Sequence, residues 1–431
     1  MRRLKISYLV LMLFVITLTF TGCWDRIEIE DRGYILALGV DKYDPSDLNK
    51  YESKEYIDLE RKTEKFPPDQ KKPEIKTDQK GIDPKTKRKV KPPLPTKESQ
   101  YKYSVTVLFP NLRMMSKPSQ SDEQMRFLFV RPTNNVLGIR NYLERDINKR
   151  LYYGYLKVVV LGRDLVDDPG LVKEVLDSLN RDKDIPQNTF LYVSETTARD
   201  TLNTMPLVQP VTGIHLFEIS KNAIVYGRII DTPLSSVINS FINSKCAVIS
   251  RVEPDIETLR VAGAAVLKNY RFVGWLDEKQ LIVYKLLMGK AKHTLIDDLK
   301  YKSTYIPFIT TEVQTKKKLE SENGKLELIY NIRIEGEVNQ FVFQSGYKVL
   351  DDPMRSYIQS QLNKIIKQKA NEVINLLKYK YNADILGVGD FISKRRPKDW
   401  KRLEKNWDDE FKKIRIVIVP DVRVRRSGTI Y

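Results

Sequence analysis

The sequence predicts a mixed α/β (α+β) protein in which helices pack on mixed sheets, and three observations predict it. Between residues 155 and 203, apolar runs typical of strands flank an amphipathic helix, which indicates a βαβ unit with a parallel pair. Residues 309–318 and 325–338 flank Asn323-Gly324, a tight-turn signal that favours an antiparallel hairpin. Residues 351–381 form the longest helical pattern, with apolar side chains close to one stripe.

The first residues carry an export signal. Three basic residues among the first five precede residues 6–20, which contain no charge, and the small residues Thr21 and Gly22 follow. A basic start, an apolar stretch of about 15 residues and small residues before a cut form the order of a secretory signal. Because Lys and Arg at the start stay in the cytoplasm, we expect the rest of the chain to lie outside it.

Cys23 is the predicted lipidation site. The Thr-Gly-Cys ending resembles the lipobox of bacterial lipoproteins, in which the thiol takes a diacylglycerol and the signal is cut before the cysteine. Phe20 departs from the leucine that is most common three residues before that cysteine. Two or more acyl chains anchor a protein stably. The alternative is an uncleaved membrane helix over residues 6–22, at the short end of the about 17 to 25 residues that span a bilayer, with the same topology.

Length and composition divide the chain into predicted segments. Removing the signal leaves 409 of the 431 residues, which suggests two or three domains at about 150 residues each. We predict a three-domain ectodomain behind the signal peptide. The segments are the lipoprotein signal peptide 1–22, an N-terminal α/β domain 23–213 with a basic low-complexity insertion at 45–100, a middle domain 214–290 with a β-hairpin and helices, and a C-terminal α/β domain 291–431 with antiparallel strands and a long helix.

The insertion at 45–100 differs in composition from the rest. It holds eight of the 21 prolines, 15 Lys and Arg and 11 Asp and Glu, with few apolar positions. Such a segment buries too little apolar surface to offset the entropy of ordering, so we predict a disordered or loosely extended insertion. The alternative is a basic arm that lies on the membrane or on a partner.

The formal net charge of the chain is +18. Such a balance usually indicates nucleic acid or anionic lipid as a partner, and export argues against nucleic acid. An anionic membrane surface beside the anchor would favour each nearby Lys or Arg by about 1 kcal/mol. Solubility alone is the alternative reason for the charge.

Strand and helix patterns continue through the predicted N-terminal domain. Residues 34–40 are a short apolar run typical of a buried strand, and residues 103–108 are predicted to continue its sheet. Helical spacing of apolar residues covers 134–148 and 171–179, and residues 189–193 read as a further strand. These elements surround the predicted βαβ unit and would complete an α/β layer.

The predicted middle domain combines helices with a hairpin. Residues 214–225 are compatible with a helix, and a second helix is predicted to start with Thr232 as its N-cap and Pro233 at its first position. Residues 259–267 and 272–276 are predicted to pair across a turn at 268–271. Together these patterns predict a hairpin covered by helices.

Capping and edge signals mark the elements that follow. Asp277 is predicted to cap a helix over residues 278–288. Residues 397–412 predict one further helix with a tryptophan-rich apolar face. Residues 414–424 predict a terminal strand, in which Pro420 favours an edge position or a bulge because proline has no N–H to donate to a neighbouring strand.

The sequence offers few candidate residues for catalysis or metal binding. The chain has two histidines, His215 with Glu218 three residues later and His293 with Asp297 four residues later. Two ligands are too few for a metal site, so a helical salt bridge or plain surface pair is the expected role of each. No metalloprotease, redox, nucleophile-elbow or phosphate-binding motif occurs. The sequence therefore predicts no enzyme, no metal and no cofactor.

Two residue types have competing interpretations. Cys246 has no partner for a disulfide once Cys23 is lipidated, and we predict that it is a small buried hydrophobic residue. Trp275, Trp400 and Trp407 could line a ligand pocket, but tryptophans on one amphipathic face are more often part of a core.

Several motifs, in their order along the chain, resemble the Ger(x)C family of spore-germination lipoproteins, the C subunits of nutrient germinant receptors. The matching residues are Gly22 to Arg26, Glu28-Ile29, Gly39 to Lys42, Lys157 to Val159 with Gly162, Leu179 to Asp182, Thr232 to Leu234, the hairpin Ala262 to Val266 and Val273 to Leu276, and Asp384 to Gly389 with Trp400 and Trp407. The insertion at 45–100 is long and lysine-rich for this family.

The resemblance implies a non-enzymatic receptor component. It implies a three-domain α/β lipoprotein on the outer face of the cytoplasmic (inner spore) membrane, acting with two integral membrane subunits, A and B, to trigger germination in response to nutrients. It assigns no ligand-binding residue to this chain and no nucleic-acid partner. The alternative is a solute-binding lipoprotein of a transporter, which would need two α/β lobes around a cleft.

Overall fold

The computed structural model describes residues 32–45, 101–112, 125–147, 149–225, 229–301, 304–322, 325–338 and 352–427. The predicted signal peptide, the lipidation site Cys23 and nearly all of the insertion at 45–100 lie outside the described residues. The protein has an α+β fold with mixed sheets, as the sequence predicts. Among the described helices, none is both long and apolar enough to cross a bilayer.

An eight-stranded mixed sheet forms the larger part of the described structure. Its spatial order is β10-β9-β8-β7-β6-β2-β3-β4. The strands are β2 (Ala37–Lys42), β3 (Tyr103–Pro110), β4 (Arg126–Thr133), β6 (Val158–Leu161), β7 (Phe190–Ser194), β8 (Cys246–Pro254), β9 (Leu259–Lys268) and β10 (Arg271–Leu276). A small parallel pair, β1 (Arg32–Tyr34) and β5 (Arg150–Tyr152), precedes β2 and β6 along the chain.

Helices cover both faces of this sheet. They are α1 (Ile139–Asp146), α2 (Pro169–Arg181), α3 (Ala198–Asn203), α4 (Thr212–Val225) and α5 (Leu234–Ser244), with 3-10 turns at Val136–Gly138 and Leu165–Asp167. Side chains of α1, α2 and α5 belong to the buried cluster on one face, and those of α3 and α4 to the cluster on the other. The apolar strands of the centre are therefore buried on both sides, as expected for parallel strands.

The predicted βαβ unit is confirmed. Strands β6 and β7 pair in parallel with Val158 opposite Phe190, and helix α2 connects them. Strand β3 pairs antiparallel with β2, so the prediction that residues 103–108 continue the sheet of residues 34–40 is also correct. Alternation of strand and helix patterns predicted the parallel pairing of β6 with β7, because the connection between parallel strands must cross a face of the sheet.

A second, four-stranded sheet has the order β11-β14-β15-β16. Its strands are β11 (Leu295–Ile296), β14 (Phe308–Glu322), β15 (Lys325–Val338) and β16 (Arg415–Ser427); β12 (Lys300–Tyr301) pairs separately with β13 (Thr304–Tyr305). The accompanying helices are α6 (Glu278–Leu287), α7 (Asp352–Asn375), α8 (Val388–Arg395), α9 (Pro397–Leu403) and α10 (Trp407–Lys413), with a π-helical turn at Leu376–Lys380.

The predicted domain boundary at 213 falls between strands of one sheet. Strands β8, β9 and β10 belong to the predicted middle domain 214–290, yet β8 pairs in parallel with β7 of the predicted N-terminal domain. One buried cluster also joins the hairpin residues Ala264 and Leu276 to the long helix α7 and the second sheet. The division into three domains remains a prediction, and the sheet is continuous across its first internal boundary.

Thr232 does not cap helix α5, contrary to the sequence prediction. The helix begins at Leu234 with Pro233 at the N-cap, where no side chain bonds to a free N–H. Thr232 is buried, and its hydroxyl donates to the carbonyl oxygen of Leu191 in β7 at 2.9 Å. A hydroxyl inside the protein needs a partner, and a strand carbonyl provides it here in place of the helix start.

The predicted cap at Asp277 is confirmed. Its side chain accepts from the N–H of Gln280 at 2.8 Å, and the side chain of Gln280 accepts from the N–H of Asp277 at 3.0 Å. This reciprocal pair is a capping box. The hairpins are confirmed too, since β9 pairs with β10 and β14 pairs with β15, antiparallel in both cases.

The single helix predicted over residues 397–412 is interrupted. Helix α9 ends at Leu403, a 3-10 turn covers Glu404–Asn406, and α10 starts at Trp407. Asn406 leaves the helical region, with φ −134° and ψ 41°. Asparagine is a weak helix former because its side chain competes for backbone hydrogen bonds, which favours a break at this position.

The last strand, β16, is an edge strand, as Pro420 predicts, and helix α7 protects it. Ile418, Pro420, Val422 and Val424 alternate along the strand, so their amide positions face the same side. Pro420 has no N–H there, while the N–H of Val422 donates to Oδ1 of Asn363 at 3.0 Å and that of Val424 to Oε1 of Gln359 at 2.9 Å. These two side chains, one helical turn apart on α7, occupy donors that a second chain could otherwise pair with.

Replacement of both amides, Gln359→Ala with Asn363→Ala, is expected to expose this edge. Each substitution leaves one partly buried N–H without its protein acceptor, so we expect a loss of about 1 kcal/mol per bond and faster aggregation on heating. Thermal unfolding followed by fluorescence and light scattering measures both effects. Gln368→Ala on the same helix, where the amide bonds to Glu372 at the surface, is the matched control and should change neither.

Candidate functional site

Several motif residues in the described part of the chain lie around two buried aspartates. Asp41 lies near the end of β2 and is 8% exposed; Asp384 follows the π-helical turn and is 4% exposed. Each carboxylate receives backbone N–H groups from the start of a helix. Helix N-termini carry unpaired N–H groups and partial positive charge, so they are favourable partners for a carboxylate inside the protein.

Asp41 holds the start of helix α3. Its Oδ1 accepts from the N–H of Ala198 at 2.6 Å and its Oδ2 from the N–H of Arg199 at 3.0 Å. Thr197 completes the cap, since its hydroxyl oxygen accepts from the N–H of Asp200 at 2.9 Å. A residue of the second strand thereby satisfies a helix 157 positions later in the chain.

Two glycines make room for this arrangement. A side chain at Gly162 would collide with Oδ1 of Asp41, and one at Gly39 would lie 3.1 Å from both Ala198 and Leu202 of α3. The N–H of Gly162 also donates to the carbonyl oxygen of Val40 at 2.9 Å, which keeps the end of β6 beside β2. The motif residues Gly39, Asp41 and Gly162 thus form one packing unit around the start of α3.

Burial raises the pKa of the Asp41 carboxyl from its ordinary value of 3.8 to about 7. The two N–H donors from Ala198 and Arg199 act in the opposite direction, since they stabilise the ionised form, while the negative charges of Asp200 and Asp164 raise the pKa further. The protonation state of this group therefore changes near neutral pH.

Asp384 holds the start of helix α8 in the same way. Its Oδ1 accepts from the N–H of Val388 and its Oδ2 from the N–H of Gly389, both at 2.8 Å. The Trp407 side chain also donates to this carboxylate, and the positive charge of Lys317 stabilises its ionised form. Burial outweighs these effects and raises the pKa of the Asp384 carboxyl above its ordinary value.

The tryptophans Trp400 and Trp407 pack against this second unit. Their rings meet edge to face with centroids 5.0 Å apart, and a side chain at Gly389 would lie 2.8 Å from Trp400 and 3.0 Å from Trp407. Both are partly buried against the large cluster that includes Leu377 and Leu386. Trp275 packs against the cluster on one face of the first sheet. The structure therefore supports the core interpretation of the three tryptophans.

The hairpin of β9 and β10 is connected to the end of the long helix. Gly263 has φ +80°, a left-handed conformation that glycine adopts without strain, and it lies against the carbonyl oxygen of Leu276. Gly274 leaves room for the ring of Tyr381, whose hydroxyl donates to the carbonyl oxygen of Trp275 at 2.6 Å. This motif therefore joins the first sheet to the helix of the second.

A buried arginine that the sequence does not reveal holds the end of α3 and the start of α4. Arg126, at the start of β4, is 7% exposed and donates to the carbonyl oxygens of Leu202 at 2.8 Å and Asn203 at 2.6 Å, and to Thr212. These acceptors lie at the end of α3 and the start of α4. A lone arginine beside a hydrophobic strand gives no periodic signal, so the sequence alone does not reveal this contact.

The two predicted histidine pairs differ in the structure. His215 lies on α4 with Glu218, but its buried Nε2 has no hydrogen-bond partner. Burial lowers the pKa of its imidazole, and the negative charge of Glu218 acts in the opposite direction. His293 has φ +50° and precedes β11, so it is not on a helix with Asp297. Within the described ranges, no group of three or more His, Cys, Asp or Glu residues could hold a metal ion.

Cys246 is buried at 3% exposure in the large cluster, which confirms its predicted role. Burial raises the pKa of its thiol to about 12, so the reactive thiolate is not formed near neutral pH. Cys23, the predicted lipidation site, lies outside the described residues. The motif residues around Asp41 and Asp384 thus serve helix capping and close packing.

The geometry defines an α+β protein in which buried aspartates cap two helices. Its similarity to known protein families identifies the family. The model for the spore germination protein N-terminal domain matches residues 81–254, and the model for spore germination B3/GerAC-like proteins, C-terminal, matches residues 262–428. Together the two models cover most of the chain. The chain belongs to the Ger(x)C family.

Relatives agree with this assignment. The chain is similar to spore germination protein YndF of Bacillus subtilis (strain 168), with 22% identity over 95% of this chain and 94% of that protein. It is 22% identical to spore germination protein KC of the same organism, over 68% of this chain and 77% of that protein. The crystal structure of the GerBC protein shares the fold, with a TM-score of 0.53, 16% identity and coverage of 75% of this chain and 94% of that one.

Gly162→Ala is expected to destabilise the protein because the added methyl group would meet the carboxylate of Asp41. Overpacking at such a site costs about 1–3 kcal/mol. Chemical denaturation of the two proteins measures this difference. Gly170→Ala, in the first turn of α2, is the control, because its methyl group would lie at an ordinary 3.4 Å from Asp168. Equal stability of Gly162→Ala and wild type would contradict the packing argument.

Asp41 also gives a pH-dependent prediction. Its pKa is about 7 when folded and near 3.8 when unfolded, so the folded state binds more protons between those values. The contribution of this group to stability is thus full below about pH 4 and falls as the pH rises towards 7. Asp41→Asn removes this titration and one hydrogen bond, at a cost of about 1–3 kcal/mol.

Melting temperatures of wild type and Asp41→Asn, measured from pH 4.5 to 7.5, test this expectation. The advantage of wild type should shrink as the pH rises, since all other titrating groups cancel in the difference. A constant or growing difference would show that Asp41 remains ionised throughout the range.

Proposed function

We propose that this chain is the lipid-anchored C subunit of a nutrient germinant receptor, which acts with two integral membrane subunits, A and B, to trigger spore germination. The supporting observation is the match of two spore germination family models that together cover residues 81–428 almost without interruption. The relatives are named as spore germination proteins over nearly the full length of both chains.

The proposal places the folded body on the outer face of the cytoplasmic (inner spore) membrane. The export signal and the lipobox-like ending at Cys23 support this location. A lipid anchor confines the protein to a thin layer at the surface, which raises its effective concentration next to membrane-embedded partners and allows weak pairwise contacts to hold a complex together. The subunit works without cofactor and without catalysis.

The described site residues favour a structural role over ligand binding. Asp41, Asp384 and the tryptophans are occupied by helix starts and by each other, so they offer no set of free polar groups to a nutrient. The solute-binding alternative would need two α/β lobes. The four-stranded sheet instead combines an antiparallel hairpin, a parallel edge strand and one long helix.

Cys23→Ala tests the proposal in spores. Loss of the acceptor thiol should leave the ectodomain folded, release the protein from the membrane fraction and abolish the response to a nutrient mixture. Membrane fractionation and the fall in optical density that accompanies germination measure the two effects. Cys246→Ala is the matched control, since it removes the buried cysteine and keeps the anchor. Normal germination of Cys23→Ala spores that lack membrane-bound protein would refute the proposal.

A further inference from the structure

One end of the large sheet carries an unusual group of tyrosines and cations. Strand β1 leads into β2 and β5 precedes β6, while β2, β6 and β7 run parallel with Ala37 opposite Val158 and Val158 opposite Phe190. The N-terminal ends of β2, β6 and β7 therefore lie together at one end of the sheet. The residues there are Arg32, Tyr34, Tyr152, Tyr155, Lys157, Phe217 and Lys221, and we call this set the basic tyrosine face.

Its tyrosines contact one another at the surface. The ring centroids of Tyr34 and Tyr155 are 5.2 Å apart, those of Tyr152 and Tyr155 are 5.9 Å apart, and both pairs meet edge to face. Tyr155 is 51% exposed. Tyrosine rings that pack edge to face at the surface form a rigid amphipathic patch, with apolar rings and polar hydroxyl groups.

The cations of this face contact rings and not carboxylates. The Arg32 guanidinium lies 5.4 Å from the ring centroid of Tyr152. The ammonium groups of Lys157 and Lys221 lie 5.0 and 4.5 Å from the Phe217 ring. In the part of the chain that the structure covers, these three cations form no ion pair with a carboxylate. Their charges are therefore available to an external anion.

The chain length limits how far this face can be from the predicted anchor. Arg32 is nine positions after Cys23. Nine residues span at most about 30 Å, which is their fully extended length. Strand β1 leads into β2 and pairs with β5, which precedes β6, so the N-terminal ends of β2 and β6 lie within reach of the predicted anchor.

We infer that the basic tyrosine face rests on the headgroups of anionic lipid, with its tyrosines at the interface and Arg32, Lys157 and Lys221 towards the phosphates. This inference rests on the proposed function, because it requires the lipid on Cys23. Tyrosine prefers the membrane–water interface, and lysine and arginine extend from apolar surface towards phosphate. The contact would orient the body and so determine which surfaces face the membrane-embedded subunits.

Acidic residues near the basic tyrosine face limit the strength of its contact with lipid. Glu144 accepts from the N–H of Leu151 at 2.9 Å, and exposed Glu218 follows Phe217, so lipid phosphates are partly repelled. The contact is therefore an orienting one, and the anchor provides retention.

Elsewhere, two adjacent loops expose Leu207, Val208 and Ile256, which we call the apolar loop tips. They are the other surface that could meet a bilayer.

Lysine labelling on vesicles distinguishes these surfaces. The full chain, purified from spores with whatever modification it carries, is reconstituted on vesicles of phosphatidylglycerol and phosphatidylcholine, or of phosphatidylcholine alone, and treated with a membrane-impermeant amine reagent. Mass spectrometry then reads each lysine. We expect labelling of Lys157 and Lys221 to fall at least about fivefold on the anionic vesicles, because ordered contact excludes the reagent. Exposed Lys173, near the start of α2 at the opposite end of the strands, should label equally on both.

Variants identify the surface in contact. Arg32→Gln with Tyr155→Gln should restore labelling of Lys157 and Lys221 on anionic vesicles. The matched control, Leu207→Gln with Val208→Gln and Ile256→Gln, should leave their protection unchanged. Loss of protection in the control variant only would assign the contact to the apolar loop tips and overturn the inference.

The same spectra separate this inference from the proposed function. A lipid on Cys23 with equal labelling of Lys157, Lys221 and Lys173 on both vesicles would overturn the inference and leave the anchored subunit intact. An unmodified Cys23 would overturn the proposed function, and the inference with it, because the chain would have no tether.

Discussion

A carboxylate that is removed from water needs hydrogen-bond donors, and this requirement governs how the described body is assembled. Asp41 and Asp384 each lie inside the protein and each take their donors from the start of a helix. The two contacts act at different ranges. Asp384 caps a helix that starts four positions later, whereas Asp41 reaches across 157 positions and so joins the second strand to α3. Without these donors both carboxylates would lose their backbone partners in the core.

The residues around the two aspartates follow from this constraint. Gly162 is small because the Asp41 carboxylate fills the space beside it, and Gly389 is small because two tryptophan rings do. Tyr381 then connects the hairpin of the first sheet to the end of the long helix through the carbonyl oxygen of Trp275. Several of the motifs that carry the family resemblance are therefore contacts between elements that are distant in the chain.

Such a body suits a protein whose role depends on where it is held. The family motifs maintain the fold, Cys23 is proposed to provide attachment, and the basic tyrosine face is proposed to provide orientation. The carboxylate oxygens of the motif residues Asp41 and Asp384 are occupied by helix starts. The edge of β16 also leaves few backbone donors free. Pro420 has no N–H, and the side chains of Asn363 and Gln359 accept from the N–H groups that a second chain could otherwise pair with.

The sequence by itself determined the elements whose signals are local. The βαβ unit, both hairpins, the capping box at Asp277, the edge strand with Pro420 and the buried Cys246 follow from periodicity, turn residues and caps, which act over a few positions. Tertiary structure alone decided the partners of Asp41, Arg126 and Thr232, the break at Asn406 and the continuity of the sheet past residue 213. These features depend on residues far apart in the chain, and distance along the sequence carries no signal of which groups meet when the core closes.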